Sequence, residues 1–203
     1  MLSSLFPEGS VGQQIARSLE AGPAPTLLAG APTQPDLVAK LAAADGDALF
    51  LPLTVTVHDL ADGARSGLLL WADAFEESHS VAQGLENLSG SYLHGLCHRR
   101  EGHRGAGFES NINNARYWFR RVLRHPVYPA LYTSAVGILK QSNTDRAVLL
   151  ESRGEWDPFL FIDWCESCEL GDAAARPALE QIAAEEMRLL IGYCAQGALG
   201  VAA

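Results

Sequence analysis

The sequence predicts a mainly α-helical fold, a single-domain bundle of antiparallel helices spanning residues 1–203. Three observations carry this. From about residue 66 onward apolar residues recur with the helical period. The stops between periodic stretches are short, as consecutive antiparallel helices require. The composition, 48% hydrophobic and 8% aromatic with Gly and Pro placed singly, is that of a helix-rich globular chain. A chain of 203 residues buries about 70% of the surface its unfolded form exposes, enough for one core.

The elements follow in order. Residues 10–21 and 35–44 form short helices, the second opened by Pro35 and closed at Asp45-Gly46. Leu51, Leu53, Val55 and Val57 alternate with Pro52, Thr54 and Thr56, the pattern of a short extended segment over 51–57, although one strand without a partner is not a sheet. Ser66 can cap a helix over 66–83 that Gly84 breaks, and a second helix covers 86–101 and ends at Gly102. Residues 104–110 read as a Gly-rich loop, after which Asn113 or Asn114 starts a helix that stops before Pro126. Further helices are expected over 129–141, 144–152, 158–170 with Asp157 as cap and Pro158 first, and 177–196, with a fraying tail after Gly197.

Bulk properties exclude several classes. The N-terminus has neither a basic leader nor an apolar run of signal-peptide length, and the longest near-apolar run, 48–57, is about half a membrane span, so a cytoplasmic protein without membrane contact is expected. Cys97, Cys165, Cys168 and Cys194 are then reduced thiols. Cys165 and Cys168 form a single CxxC near the C-terminal end of a helix, which excludes a zinc ribbon and suits packing. The net charge of -9 argues against nonspecific nucleic-acid binding.

Against that acidic background stands the stretch from His94 to His125. It holds seven of the fifteen basic residues, all arginine, four of the six histidines, and only Glu101 and Glu109 as acids. Seven positive and two negative charges give +5, which leaves -14 for the rest of the chain. A segment of such opposite sign marks the candidate functional region and suits a small anionic ligand.

Helical phase divides this stretch. In the helix ending before Pro126, Ala115, Trp118, Phe119, Val122 and Leu123 form an apolar face, while Arg116, Tyr117, Arg120, Arg121 and Arg124 form the other. The arginine face is either solvated or a set of guanidinium forks for carboxylates or phosphates. On the preceding helix His94, His98 and Glu101 fall at i, i+4 and i+7 along one edge. That edge is either a hydrogen-bonded polar seam or a site for a divalent metal, the only cofactor the sequence suggests. Gly95 stands where the zinc-protease motif has Glu.

Titratable residues also interrupt apolar stripes. His79 falls among Leu68, Trp71, Ala72, Phe75 and Ala82; Glu166 lies between Phe159, Ile162 and Leu170; Glu186 lies among Leu179, Ile182, Ala183, Leu190 and Tyr193. Buried acids need positive partners, and Arg99 is one supply. They form either structural ion pairs or a shared pocket drawing on His79, His94, His98, Arg99, Arg100, Glu101, Tyr117, Arg120, Arg121, Glu166 and Glu186.

The motifs HGLCHRREG, NARYWFRR and HP between His94 and Pro126 resemble a family of uncharacterised proteins marked by HxxxHRREG, NAxYWFRR and HP. The segment WDPFLFIDWCE from Trp156 to Glu166 and the ESH of Glu77 to His79 resemble further parts of that pattern, so the likeness touches about a quarter of the chain. It implies no activity. Family members carry a short GD turn before the NA, where this chain has Gly102-His103 and a longer Gly-rich insert. Ala115, Phe119, Val122 and Pro126 are similar to the second helix of a tetratricopeptide hairpin, but no 34-residue period recurs.

Two functions fit. One is a ligand-binding protein or enzyme with the pocket named above, its arginines holding a small anion and its histidines and Glu101 a metal or a proton. The other is a non-enzymatic interaction domain whose arginine face docks an acidic protein segment. No GxSxG motif, phosphate loop or dinucleotide glycine pattern is present.

Overall fold

The computed structural model describes residues 1–32, 34–142 and 144–200, and these residues form ten α-helices, three short 3-10 turns and no strand. The all-α expectation holds. No helix among them is long and apolar enough to cross a membrane.

Helices α1 (Val11–Glu20) and α2 (Pro35–Ala43) start where local chemistry directs. The Ser10 Oγ accepts the Gln13 N–H at 3.1 Å, and Pro35 occupies the first turn of α2. The segment 51–57 that alternates like a strand is not one. A strand needs a neighbouring ladder of amides and carbonyls, whereas here the Thr56 and Val57 N–H groups both donate to one carbonyl, that of Ala198. Of its alternating apolar residues only Val55 is buried; Leu51, Leu53 and Val57 are exposed.

The helix expected over 66–83 is two helices, α3 (His58–Trp71) and α4 (Phe75–Gln83). Asp73 adopts a left-handed conformation at φ 60°, its N–H donates to Leu70 O, and the Ala74 N–H donates to Leu69 O. This pair of bonds closes a helix end in the manner usually given to glycine. Asp tolerates that conformation better than most residues, and here its carboxylate is also held by Arg100 at 2.7 Å. Because the stripe of α3 continues in phase into α4, periodicity alone could not place the break.

Helix α5 (Leu88–Glu101) is the centre of the molecule. Ten of its fourteen residues are buried, too many for a helix with one solvated face. The edge of His94 and His98, polar in sequence, is therefore covered by neighbours. Helix α6 (Phe108–Val122) runs antiparallel against α5, with Asn111 near Gly102 at one end and Phe119 on Gly95 further along. It begins before Asn113: the Asn111 amide ties down the Gly102 and Arg104 carbonyls at 2.9 and 2.8 Å, so the Gly-rich loop is shorter than its composition suggests. Gly95 has a packing reason, since a Cβ there would lie 2.9 Å from the Phe119 ring.

Helices α7 (Tyr128–Ser142), α8 (Thr144–Arg153), α9 (Pro158–Glu169) and α10 (Arg176–Ala198) complete the bundle. Asp157 caps α9, accepting the Phe159 and Leu160 N–H groups at 3.0 Å. Helix α10 packs on α3, α7 and α9, and α9 on α6. Gly197 and Ala198 remain in α10; of the tail expected to fray, residues 201–203 lie outside the described residues.

Candidate metal centre

All three histidines named for the pocket, His79, His94 and His98, meet between α4 and α5. The ligand atoms of His79, His94 and His98 lie within 4.8 Å of one another. Helical spacing puts His94 and His98 one turn apart on α5, and their rings stack with centroids 5.0 Å apart. His79 arrives from α4 edge-on to both, at 4.4 and 5.1 Å. Phe75, one turn before His79, backs its ring, and Trp118 of α6 lies flat on His94 at 3.9 Å. An aromatic wall on each side thus leaves the imidazoles few directions to turn.

The polar contacts are uneven. The His98 Nδ1 meets the Glu101 carboxylate at 3.0 Å, which leaves Nε2 as the free ring nitrogen of His98. The Nδ1 of His94 is buried and has no hydrogen-bond partner. Burial pushes the His94 pKa down to about 3, with His79 and His98 adding like-charge repulsion, and burial also lowers His79. At neutral pH both are uncharged imidazoles, the form that donates a lone pair.

Other expected site residues lie elsewhere. Glu101 does not sit in the ligand cluster but behind it, on His98. Arg99 pairs with Glu186 of α10, whose second oxygen accepts the Tyr92 hydroxyl at 2.7 Å; all three side chains are buried. The Arg99 guanidinium also lies 4.7 Å above the Phe161 ring. Arg100 donates to Asp73, to Leu70 O at 2.6 Å and to Thr26 O at 3.2 Å, binding the end of α3 to the loop before α2. Successive helical residues point about 100° apart, so His98, Arg99 and Arg100 necessarily serve three different neighbours. Glu166 is only half-buried and pairs with Arg116, which also holds Asp163. Tyr117 and Arg120 are exposed, and Arg121 lies 5.3 Å from the Trp118 ring. The expected pocket is thus four separate arrangements, the histidine cluster and the groups around Arg99, Arg100 and Arg116, with an exposed arginine face beside them.

Two participants were not assigned to a metal from sequence. His79 stood out as a histidine in an apolar stripe, but its meeting with α5 depends on the α3–α4 break. Trp118 reads as core from its phase, and nothing in the chain signals its place on His94.

Fold and site together define an all-α protein with a three-histidine cluster between α4 and α5. Compared with known protein families, curated proteins and solved structures, the chain matches none.

Proposed function

We propose that the chain binds one divalent transition-metal ion through His79, His94 and His98. The observation that carries this reading is the convergence of three imidazoles from two helices, one of them with a buried nitrogen that has no protein partner. Bonds of about 2.0–2.1 Å place tetrahedral ligands about 3.3 Å apart, so small ring rotations would draw the cluster onto an ion. Glu101 supports the same reading, because metal-binding histidines commonly donate their second N–H to a carboxylate that fixes tautomer and orientation. Imidazole donors suit zinc, cobalt, nickel or copper and not magnesium or calcium. Three protein ligands leave a coordination position for water or a small anion, which is where an anionic ligand would enter.

The test is titration of metal-free protein with zinc and cobalt. One equivalent should bind, raise the melting temperature and, for cobalt, give the visible absorption of a low-coordinate nitrogen site. His94→Ala and His79→Ala should abolish this, and Glu101→Gln should weaken binding about 10- to 100-fold. Absence of stoichiometric binding to the wild type, or binding indifferent to His94, overturns the reading.

A second reading is favoured by the exposed outer face of α6. Among the described residues Arg120 makes no ion pair, and Tyr117 and Arg121 are exposed beside it. An acidic polyglutamate peptide should bind this face in a salt-dependent way and lose binding in Arg120→Glu/Arg121→Glu. Equal affinity in that variant removes it.

A further inference from the structure

A recess lies where the start of α7 meets the turn before α9. Two adjoining cavities of about 350 and 390 Å³ open here and share Arg124, Tyr128, Glu155 and Trp156 as walls. Their size is that of small-molecule pockets. Tyr128 and Trp156 are more than nine-tenths buried, yet the Tyr128 hydroxyl and the Trp156 Nε1 have no hydrogen-bond partner. Native proteins rarely bury such groups unsatisfied, and both belong to residues that wall these cavities, where a small side-chain rotation would bring them to a guest.

We propose that this cavity binds a neutral, planar aromatic molecule bearing a hydrogen-bond acceptor, such as an aromatic amide or ketone. The walls decide the ring. Tyr128, Tyr132, Trp156 and His125 line the cavities, and flat aromatic walls favour a flat guest by offset or edge-on stacking. The charges decide neutrality. Arg124 already pairs with Glu155 at 3.3 Å and Arg153 with Asp157 at 3.7 Å, so among the described residues each charge at the rim has a partner of opposite sign. The polar groups decide the acceptor. The His125 Nδ1 accepts the Val127 N–H at 3.3 Å, which assigns Nε2–H to the Ser89 hydroxyl at 3.1 Å and leaves this imidazole nothing to offer. What remains is the Trp156 N–H, a donor only, and the Tyr128 hydroxyl, so the guest must accept. Leu123, on the wall of one cavity, holds a left-handed backbone at φ 56°, a conformation unfavourable for leucine and often found beside binding sites.

The probes are benzamide, benzoate and benzylamine, which share a ring and differ in charge. Binding is followed by the four tryptophan indole N–H resonances of the uniformly labelled protein. Benzamide should shift the Trp156 resonance in a saturable way below about 10 mM, a range suited to a small fragment, and the other two should bind at least about tenfold more weakly. Tyr128→Phe keeps the ring and the Trp156 indole that reports binding, removes one donor and should weaken benzamide about tenfold. Preferential binding of benzoate or benzylamine overturns the assignment of ligand class. No saturable shift of the Trp156 resonance in wild-type protein, or affinity unchanged in Tyr128→Phe, overturns the site; the wild-type measurement decides even where the variant does not fold.

Discussion

Glu186 accepts from both Arg99 and Tyr92 in a region that water does not reach. Such a pair is weak evidence of net stability, because two charges lose their hydration to form it, but removing one partner strands the other. Glu186→Gln keeps the shape and leaves the Arg99 guanidinium buried without a counter-charge. We expect a loss of about 3–5 kcal/mol, read as a lower urea midpoint at unchanged slope. An unaltered midpoint would show that Arg99 finds compensation elsewhere. The need of Glu186 for an arginine was legible from its place in an apolar stripe, and so was Arg99 as a supplier. The Tyr92 bond was not, because it joins residues 94 positions apart, and sequence phase gives the direction of a side chain but not the helix it meets.

Contact between α5 and α6 depends on Gly95, where the Phe119 ring, itself 1% exposed, takes the place of a side chain. Gly95→Ala gains about 1 kcal/mol of helix propensity and meets an overpacking penalty of about 1–3 kcal/mol, since the ring has no room to retreat. The expected result is a net loss of up to about 2 kcal/mol in chemical denaturation. Gly137 on α7 is the control: a Cβ there meets nothing within 4 Å, so Gly137→Ala should stabilise by about 1 kcal/mol. If both variants shift stability in the same direction, packing at Gly95 is not what the glycine serves. The break between α3 and α4 belongs to the same scale. It was hidden because Asp73 takes a role that sequence reading gives to glycine, and because the fold, through Arg100, supplies the partner that holds it there.

For the molecule as a whole, acid stability follows from histidine burial. Burial lowers the His125 pKa to about 4, against an ordinary value near 6.5. Below pH 6.5 the unfolded chain takes up a proton that the folded chain refuses, so the stabilising contribution of neutral His125 is full above that value. It falls as pH drops toward about 4, by about 1.4 kcal/mol per pH unit. Urea midpoints of the metal-free protein should therefore decline through this window, and His125→Gln should make the decline shallower, the buried His94 keeping its own share. A variant with the same slope as wild type would show that His125 is protonated without opening the fold.

By itself, the sequence determined the helical class, the positions of most helices, the segregation of charge into the His94–His125 stretch, and the candidate residues, because periodicity, caps and composition are local properties. Tertiary structure decided which candidates meet. It brought His79 to His94 and His98, turned Glu101 behind them, sent Arg99 and Arg100 to separate acids, and set Trp118 on His94. The physical reason is that α5 is enclosed on nearly every side, so each step of about 100° along it faces a different helix, and only packing determines which one.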